Sequence, residues 1–297
     1  MSEAAVYTLK NESVEASISS LGAECISLKY RGLEYLWQAD PAVWGRHAPV
    51  LFPIVGRLKN DSYQHAGQTY SLNQHGFARD CSFQLLEHSE QHLSLVLNAD
   101  RESLKRFPFD FELIVRYTLS DSRLQVDYRV NNPSAGQELF FSIGAHPGFR
   151  CPLLPDRERF EDYELDFGKQ SLSSLPIYAL ENGLIGRKRK KLDLKQGKLP
   201  MGYDLFRHDA LIFDVQSFTG LRIRSKKTGK GYAMQFPDFR WLGLWTKEDN
   251  AGFVCIEPWN GIADTTDHDG ELKSKLGIIR LSPGSFHAAT YQVELLG

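Results

Sequence analysis

The stretch that decides the fold is Phe111-Glu112-Leu113-Ile114-Val115-Arg116-Tyr117-Thr118-Leu119, then Ser120-Asp121-Ser122-Arg123, then Leu124-Gln125-Val126-Asp127-Tyr128-Arg129-Val130-Asn131. In the first run every odd position is apolar, and only Ile114 breaks the polar set between. The last run alternates without exception. A period of two sends alternate side chains to opposite faces, so each run reads as a strand with one buried and one wet face. The short polar link between them predicts an antiparallel hairpin.

Similar runs extend outward in both directions. Leu93–Leu97 precedes the hairpin; Ala210–Val215, Leu221–Arg224, Tyr232–Phe236, Leu242–Trp245 and Ala289–Leu295 follow it. Thr228-Gly229-Lys230-Gly231 supplies a turn between two of these. Helical patterning is confined to Arg101–Arg106, one turn that Pro108 stops. Many short strands without alternating helices predict an all-β chain, an antiparallel sandwich or barrel. No linker or composition shift marks a boundary, so residues 1–297 read as a single domain. Asp156–Lys198 is the least regular segment and reads as an excursion from the sheets.

With 297 residues, 42% of them hydrophobic, the chain can bury a sizeable core. Its 35 basic and 37 acidic side chains leave a net charge of −2, so no global field attracts nucleic acid or an anionic membrane. Met1–Ala5 lacks the basic flank and apolar run of a signal peptide, and no apolar stretch reaches membrane-spanning length. Cys25, Cys81, Cys151 and Cys255 are widely spaced. They predict a reduced, cytoplasmic protein with neither a disulfide framework nor a cysteine-based zinc site. The basic run Arg187–Lys191 reads as a solvated loop, and Thr265–Gly270 lacks the glutamate of a calcium loop. Serine-hydrolase, P-loop and dinucleotide-binding motifs are absent.

Three distant segments set titratable side chains among glycine, proline and aromatics: Gln74-His75-Gly76-Phe77-Ala78-Arg79, Gly144-Ala145-His146-Pro147-Gly148-Phe149 and Ile256-Glu257-Pro258-Trp259-Asn260. His75 sits where a glycine lets the chain turn sharply, although a loop histidine bonded to a carbonyl fits the same pattern. His146 follows Leu139–Ile143, which reads as a buried strand; rigid placement and burial tune an imidazole for proton transfer. Glu257 follows Gly252–Ile256, apolar enough to be buried on both faces, where a carboxylate is either paired or functional. Pro258 is expected to end that strand. Arg57 closes the apolar run Phe52–Gly56, a further expected strand, and its fork of donors suits sugar hydroxyls or a carboxylate. Asp209 opens a strand and suits a turn equally well.

Taken together the chain resembles the aldose 1-epimerase (mutarotase) family, most closely its LacX-like branch. The likeness runs through Ala48–Leu58, Gln74–Arg79, Gly144–Phe149 and Ile256–Gly261. The resemblance implies a large antiparallel β-sandwich of galactose mutarotase-like type. It implies interconversion of α- and β-anomers of a small-molecule sugar, without metal or organic cofactor. By resemblance, Glu257 is the base at the C1 hydroxyl, His146 the acid at the ring oxygen, and His75 an assisting donor. Arg57, Asp209 and Arg79 would bind the substrate, with Trp259, Phe149, Phe77 and Trp44 as stacking candidates. The sequence around Asp209 departs from the galactose mutarotases, which also double the histidine where this chain has only His146 before Pro147. A hexose-6-phosphate epimerase, with Arg79 or Arg46 at the phosphate, is the alternative of the same kind. A sugar-binding or sensing protein and a cupin-type metal enzyme, using two histidines and a glutamate, are those of other kinds. The oligomeric state has no signature in the sequence.

Overall fold

The computed structural model describes residues 4–247 and 250–297. The alternation around the hairpin becomes strands Glu112–Ser120 and Arg123–Asn131, paired antiparallel from Glu112 opposite Asn131 to Ser120 opposite Arg123. They lie inside a nine-stranded sheet that runs Lys198–Pro200, Tyr163–Asp166, Gly220–Ser225, Gly231–Gln235, Phe286–Leu296, Arg123–Asn131, Glu112–Ser120, His92–Asn98, Gln84–His88. Apolar residues of this sheet, among them Leu113, Val115, Tyr117, Val126 and Tyr128, join one continuous core with Phe52, Phe107, Phe111 and Phe141.

A second large sheet carries the site. Its order is Leu184–Asp193, Ser174–Glu181, Leu211–Asp214, Trp241–Trp245, Phe253–Asn260, Ile143–Ala145, Val50–Leu51. Every named strand pair in both sheets is antiparallel. The large antiparallel β-sandwich is therefore the fold. The helix Arg101–Arg106 forms as expected, capped by Asp100, whose side chain accepts from Ser103 N.

Five local expectations are corrected. Asp156–Lys198 is not an excursion: it supplies Tyr163–Asp166 to the first sheet and Ser174–Glu181 and Leu184–Asp193 to the second. The basic run Arg187–Lys191 is strand, not loop. It lies on an outermost strand, where a row of exposed cations keeps another chain from adding to the ladder; that role hides the usual alternation. The run Phe52–Gly56 is not a strand; the ladder ends at Val50–Leu51, and beyond it Phe52 alone makes an isolated parallel bridge to Gly76. Leu139–Ile143 divides at Ser142, whose N–H donates to Pro53 O, into Leu139–Phe141 and Ile143–Ala145 in different sheets.

Pro258 likewise does not end its strand, which continues to Asn260 and is buried throughout. Two short strands share one flank of Phe253–Asn260: Ile143 and Gly144 face Asn260 and Trp259, while Gly148, Phe149 and Arg150 face Cys255, Val254 and Phe253. The proline lies in the interval between them, where no ladder bond from that flank is lost. The same interruption releases His146.

Candidate functional site

Glu257 leaves the middle of the buried strand opposite Gly243 of Trp241–Trp245. Trp259, two residues on, leaves the same face. Its indole lies over two glycines, since a Cβ at Gly243 or Gly144 would come within 2.6 Å of the ring. Those glycines make room for the ring beside the carboxylate. His146 enters from the gap between the flanking strands, and its Nε2 stands 3.1 Å from Glu257 Oε2. Trp44 stacks on the His146 ring at 5.0 Å, while Trp245 and His75 meet it edge-on at 5.9 and 5.5 Å.

His75 has a positive φ of 68° and precedes Gly76, whose Cβ would collide with Phe52 O. The backbone is held by His75 N donating to Gly56 O and by Gly76 N donating to Asn73 O. Gly56 N donates to His75 Nδ1 at 3.2 Å, so the neutral ring carries its proton on Nε2. That nitrogen is 3.2 Å from Gln74 Nε2, and because both then carry hydrogens the contact does not satisfy the His75 N–H. Arg79, in the short turn Ala78–Asp80, donates through Nη2 to Gln74 O.

These residues converge. His75, Arg79, His146, Asp209, Glu257 and Trp259 line one cavity of about 380 Å³, with Trp44, Gln74 and Trp245. That volume suits a single small ligand. Four buried polar atoms around it lack a hydrogen-bond partner: Arg79 Nε, His146 Nδ1, Glu257 Oε2 and Trp259 Nε1. The short His146–Glu257 contact is thus not aligned as a hydrogen bond. Buried polar groups are seldom left unpaired unless something else completes them.

Burial governs the electrostatics. Glu257 is 1% exposed, and desolvation followed by the Asp209 charge pushes its carboxyl well above the usual range. Desolvation takes His146 down to about 3, with Arg79 and Arg46 adding to the shift. His75 is also held well below its ordinary value, first by burial and then by His146 and Arg79. Low dielectric penalises both charges, which favours a protonated Glu257 beside a neutral His146, one exchangeable proton for the two groups. Cys255, two residues before Glu257, is buried beside it, and desolvation raises its thiol well above the ordinary value.

Other candidates are placed elsewhere. Phe149 is opposite Val254 in register, on the face away from Glu257, and it stacks on Tyr232 at 4.6 Å in the core. Phe77 packs against Phe52 and Phe107. Neither ring reaches the cavity. Arg57 is exposed and holds Asp61 through Nε and Nη2, both at 3.0 Å, so it has the carboxylate partner rather than a place in the lining. Arg46 is committed to Asp80 at 2.7 Å. The cupin-type set of two histidines and a glutamate shares the cavity, but among the described residues the ligand atoms close enough to share an ion are those of His146, Cys255 and Glu257. Trp245, Gln74, Gly56 and Cys255 were not singled out as site residues. Cys255 and Glu257, two apart in a strand, carried a shared-face signal; the others depend on tertiary contact.

The family model for aldose 1-epimerase matches residues 5–280. The chain is 35% identical over 295 residues to the chromosomal protein LacX of Lactococcus lactis subsp. lactis, covering 97% of this chain and 98% of LacX. A galactose mutarotase related enzyme from Lactobacillus acidophilus superposes with a TM-score of 0.93 at 36% identity, over 98% of this chain and 97% of that one. A galactose mutarotase-like protein from Lactobacillus casei gives 0.89 at 31% identity, over 98% and 100%.

Proposed function

The chain belongs to the aldose 1-epimerase family, and we propose that it is a cofactor-independent mutarotase that interconverts the α- and β-anomers of an aldose. The observation that carries this reading is the buried Glu257–His146 pair facing a sugar-sized cavity with unpaired polar atoms around it.

Ring opening needs one proton removed from the C1 hydroxyl and one delivered to the ring oxygen. Glu257 accepts the first as its carboxylate; His146 gives the second as its imidazolium. The C1–O5 bond breaks, leaving an aldehyde and a free O5 hydroxyl. Rotation about C1–C2 presents the other carbonyl face, and the reverse transfers restore both groups. One proton is held by the pair at the start and at the end, which is the count that burial imposes. Sugar hydroxyls that hydrogen-bond Oε2 favour the carboxylate, and so move the shared proton to His146. His75 Nε2–H donates toward the ring-oxygen side. Asp209 and Arg79 take hydroxyls, and Trp259 packs on an apolar face of the sugar. Each positioned acid or base contributes about 10²–10⁴-fold.

Polarimetry of freshly dissolved α-glucose and α-galactose tests the reading: rotation should relax faster in proportion to added protein. Tight sugar binding with the uncatalysed relaxation rate would instead mark a binding protein. Of the two cations considered for a phosphate, Arg46 is held by Asp80 and only Arg79 lines the cavity, and a single cation beside Asp209 and Glu257 favours the unphosphorylated sugar as substrate. A rate that is higher on glucose 6-phosphate than on glucose would reverse that order.

A further inference from the structure

Cys255 and Glu257 are two apart in the strand Phe253–Asn260, so both side chains leave its cavity-facing side. His146 meets them from the interrupted flank. Among the described residues, a ring nitrogen of His146, Cys255 Sγ and a carboxylate oxygen of Glu257 lie within 4.8 Å of one another, and all three residues are buried. Two of them, His146 and Glu257, open onto the cavity. Glu257 Oε2 has no hydrogen-bond partner.

Thiolate, imidazole and carboxylate together suit a borderline-soft divalent ion; hard cations such as Mg²⁺ or Ca²⁺ prefer all-oxygen shells. Ligand atoms of a tetrahedral zinc site stand about 3.3–3.6 Å apart, given bonds of roughly 2.0–2.3 Å. Closing from 4.8 Å or less needs side-chain adjustments of about an ångström. The charge count favours the ion too: a dication with one thiolate, one carboxylate and a neutral imidazole sums to zero, which a buried site tolerates. The fourth position would face the cavity, where water can occupy it.

We propose that His146, Cys255 and Glu257 form an inhibitory site for a divalent cation of the zinc class. Binding makes metal–sulfur, metal–nitrogen and metal–oxygen bonds and releases two protons, one from the thiol and the one shared by Glu257 and His146. Nothing is oxidised or reduced. The ion occupies the atoms that the proton transfers require, so the bound form does not turn over sugar.

The site can be tested without measuring turnover. Co²⁺ is titrated into the full chain, with absorbance read in the near ultraviolet, where thiolate-to-cobalt charge transfer appears. One equivalent should develop the band, and Zn²⁺ should erase it. Cys255→Ser should abolish the band, whereas Cys81→Ser should leave it. Glu257→Gln retains the thiol and should weaken Zn²⁺ binding about tenfold or more by calorimetry, which keeps the test informative if Cys255→Ser does not fold. Absence of the band, its survival in Cys255→Ser, or unchanged Zn²⁺ affinity in Glu257→Gln would overturn the proposal. That the ion inhibits rests on the mutarotase reading, so absence of sugar turnover would remove the inhibition and leave the metal site itself standing.

Discussion

His146 Nε2 lies 3.1 Å from Glu257 Oε2, and the two side chains are 11% and 2% exposed. Their burial gives opposite pH dependences. His146 has its value lowered from 6.5 to about 3, so the unfolded chain binds more protons between those limits. Its contribution to stability is full above about pH 6.5 and lost as pH falls toward 3. Glu257 has its carboxyl raised, so its contribution is full below 4.5 and lost as pH rises through its folded value. Chemical denaturation of wild type and His146→Asn at several pH values should show wild type gaining on the variant from pH 3 to 6.5. A pH-independent difference would contradict the buried neutral imidazole.

Gly56 should tolerate no side chain. Its φ is +75°, and an added Cβ would lie 2.5 Å from Ala263 N. The same residue donates to His75 Nδ1. Gly56→Ala should cost more than the ~1–3 kcal/mol of backbone strain alone, because the clash adds to it. Urea midpoints at unchanged m-value measure this.

Lys275 and Asp264 form a buried ion pair at 3.0 Å, with side chains 0% and 1% exposed. Lys275 also donates to Ile262 O, and Asp264 Oδ2 accepts from Lys59 N, so the pair joins two loops beside the cavity. Lys275→Met leaves an unpaired buried carboxylate and should cost about 3–5 kcal/mol. Adding Asp264→Asn should recover part of that loss, a non-additivity that equilibrium unfolding of the double-mutant cycle reads directly.

The cations of Arg187–Lys191 protect an outermost strand. Replacing Lys188, Lys190 and Arg187 with Thr should leave the unfolding midpoint nearly unchanged and increase self-association. Light scattering against concentration shows the difference.

The hairpin Glu112–Asn131 was legible because one face of each strand is wet, which writes a period of two into the chain. The second sheet was less so. Phe253–Asn260 is buried on both faces, and its apolar run carried no marker for continuing past Pro258. Leu184–Asp193 hid behind its charges for the opposite reason. At the site, the three titratable residues stood out because each was set among glycine, proline and aromatics. Phe149 shared that setting, yet the register opposite Val254 turns it to the core, and register between distant strands has no local trace. Arg57 was legible as a cation but not as a partner of Asp61 four residues on.

The most direct test of the mechanism is anomer exchange measured by NMR on equilibrated glucose and galactose, with wild type, Glu257→Gln and His146→Asn at matched concentration and verified fold. Wild type should exchange the α- and β-anomer signals faster than buffer. Each variant should fall by about 10²-fold or more, since each removes one of the two proton-transfer groups. Wild-type exchange rates in both variants would contradict the assignment of Glu257 and His146 as base and acid.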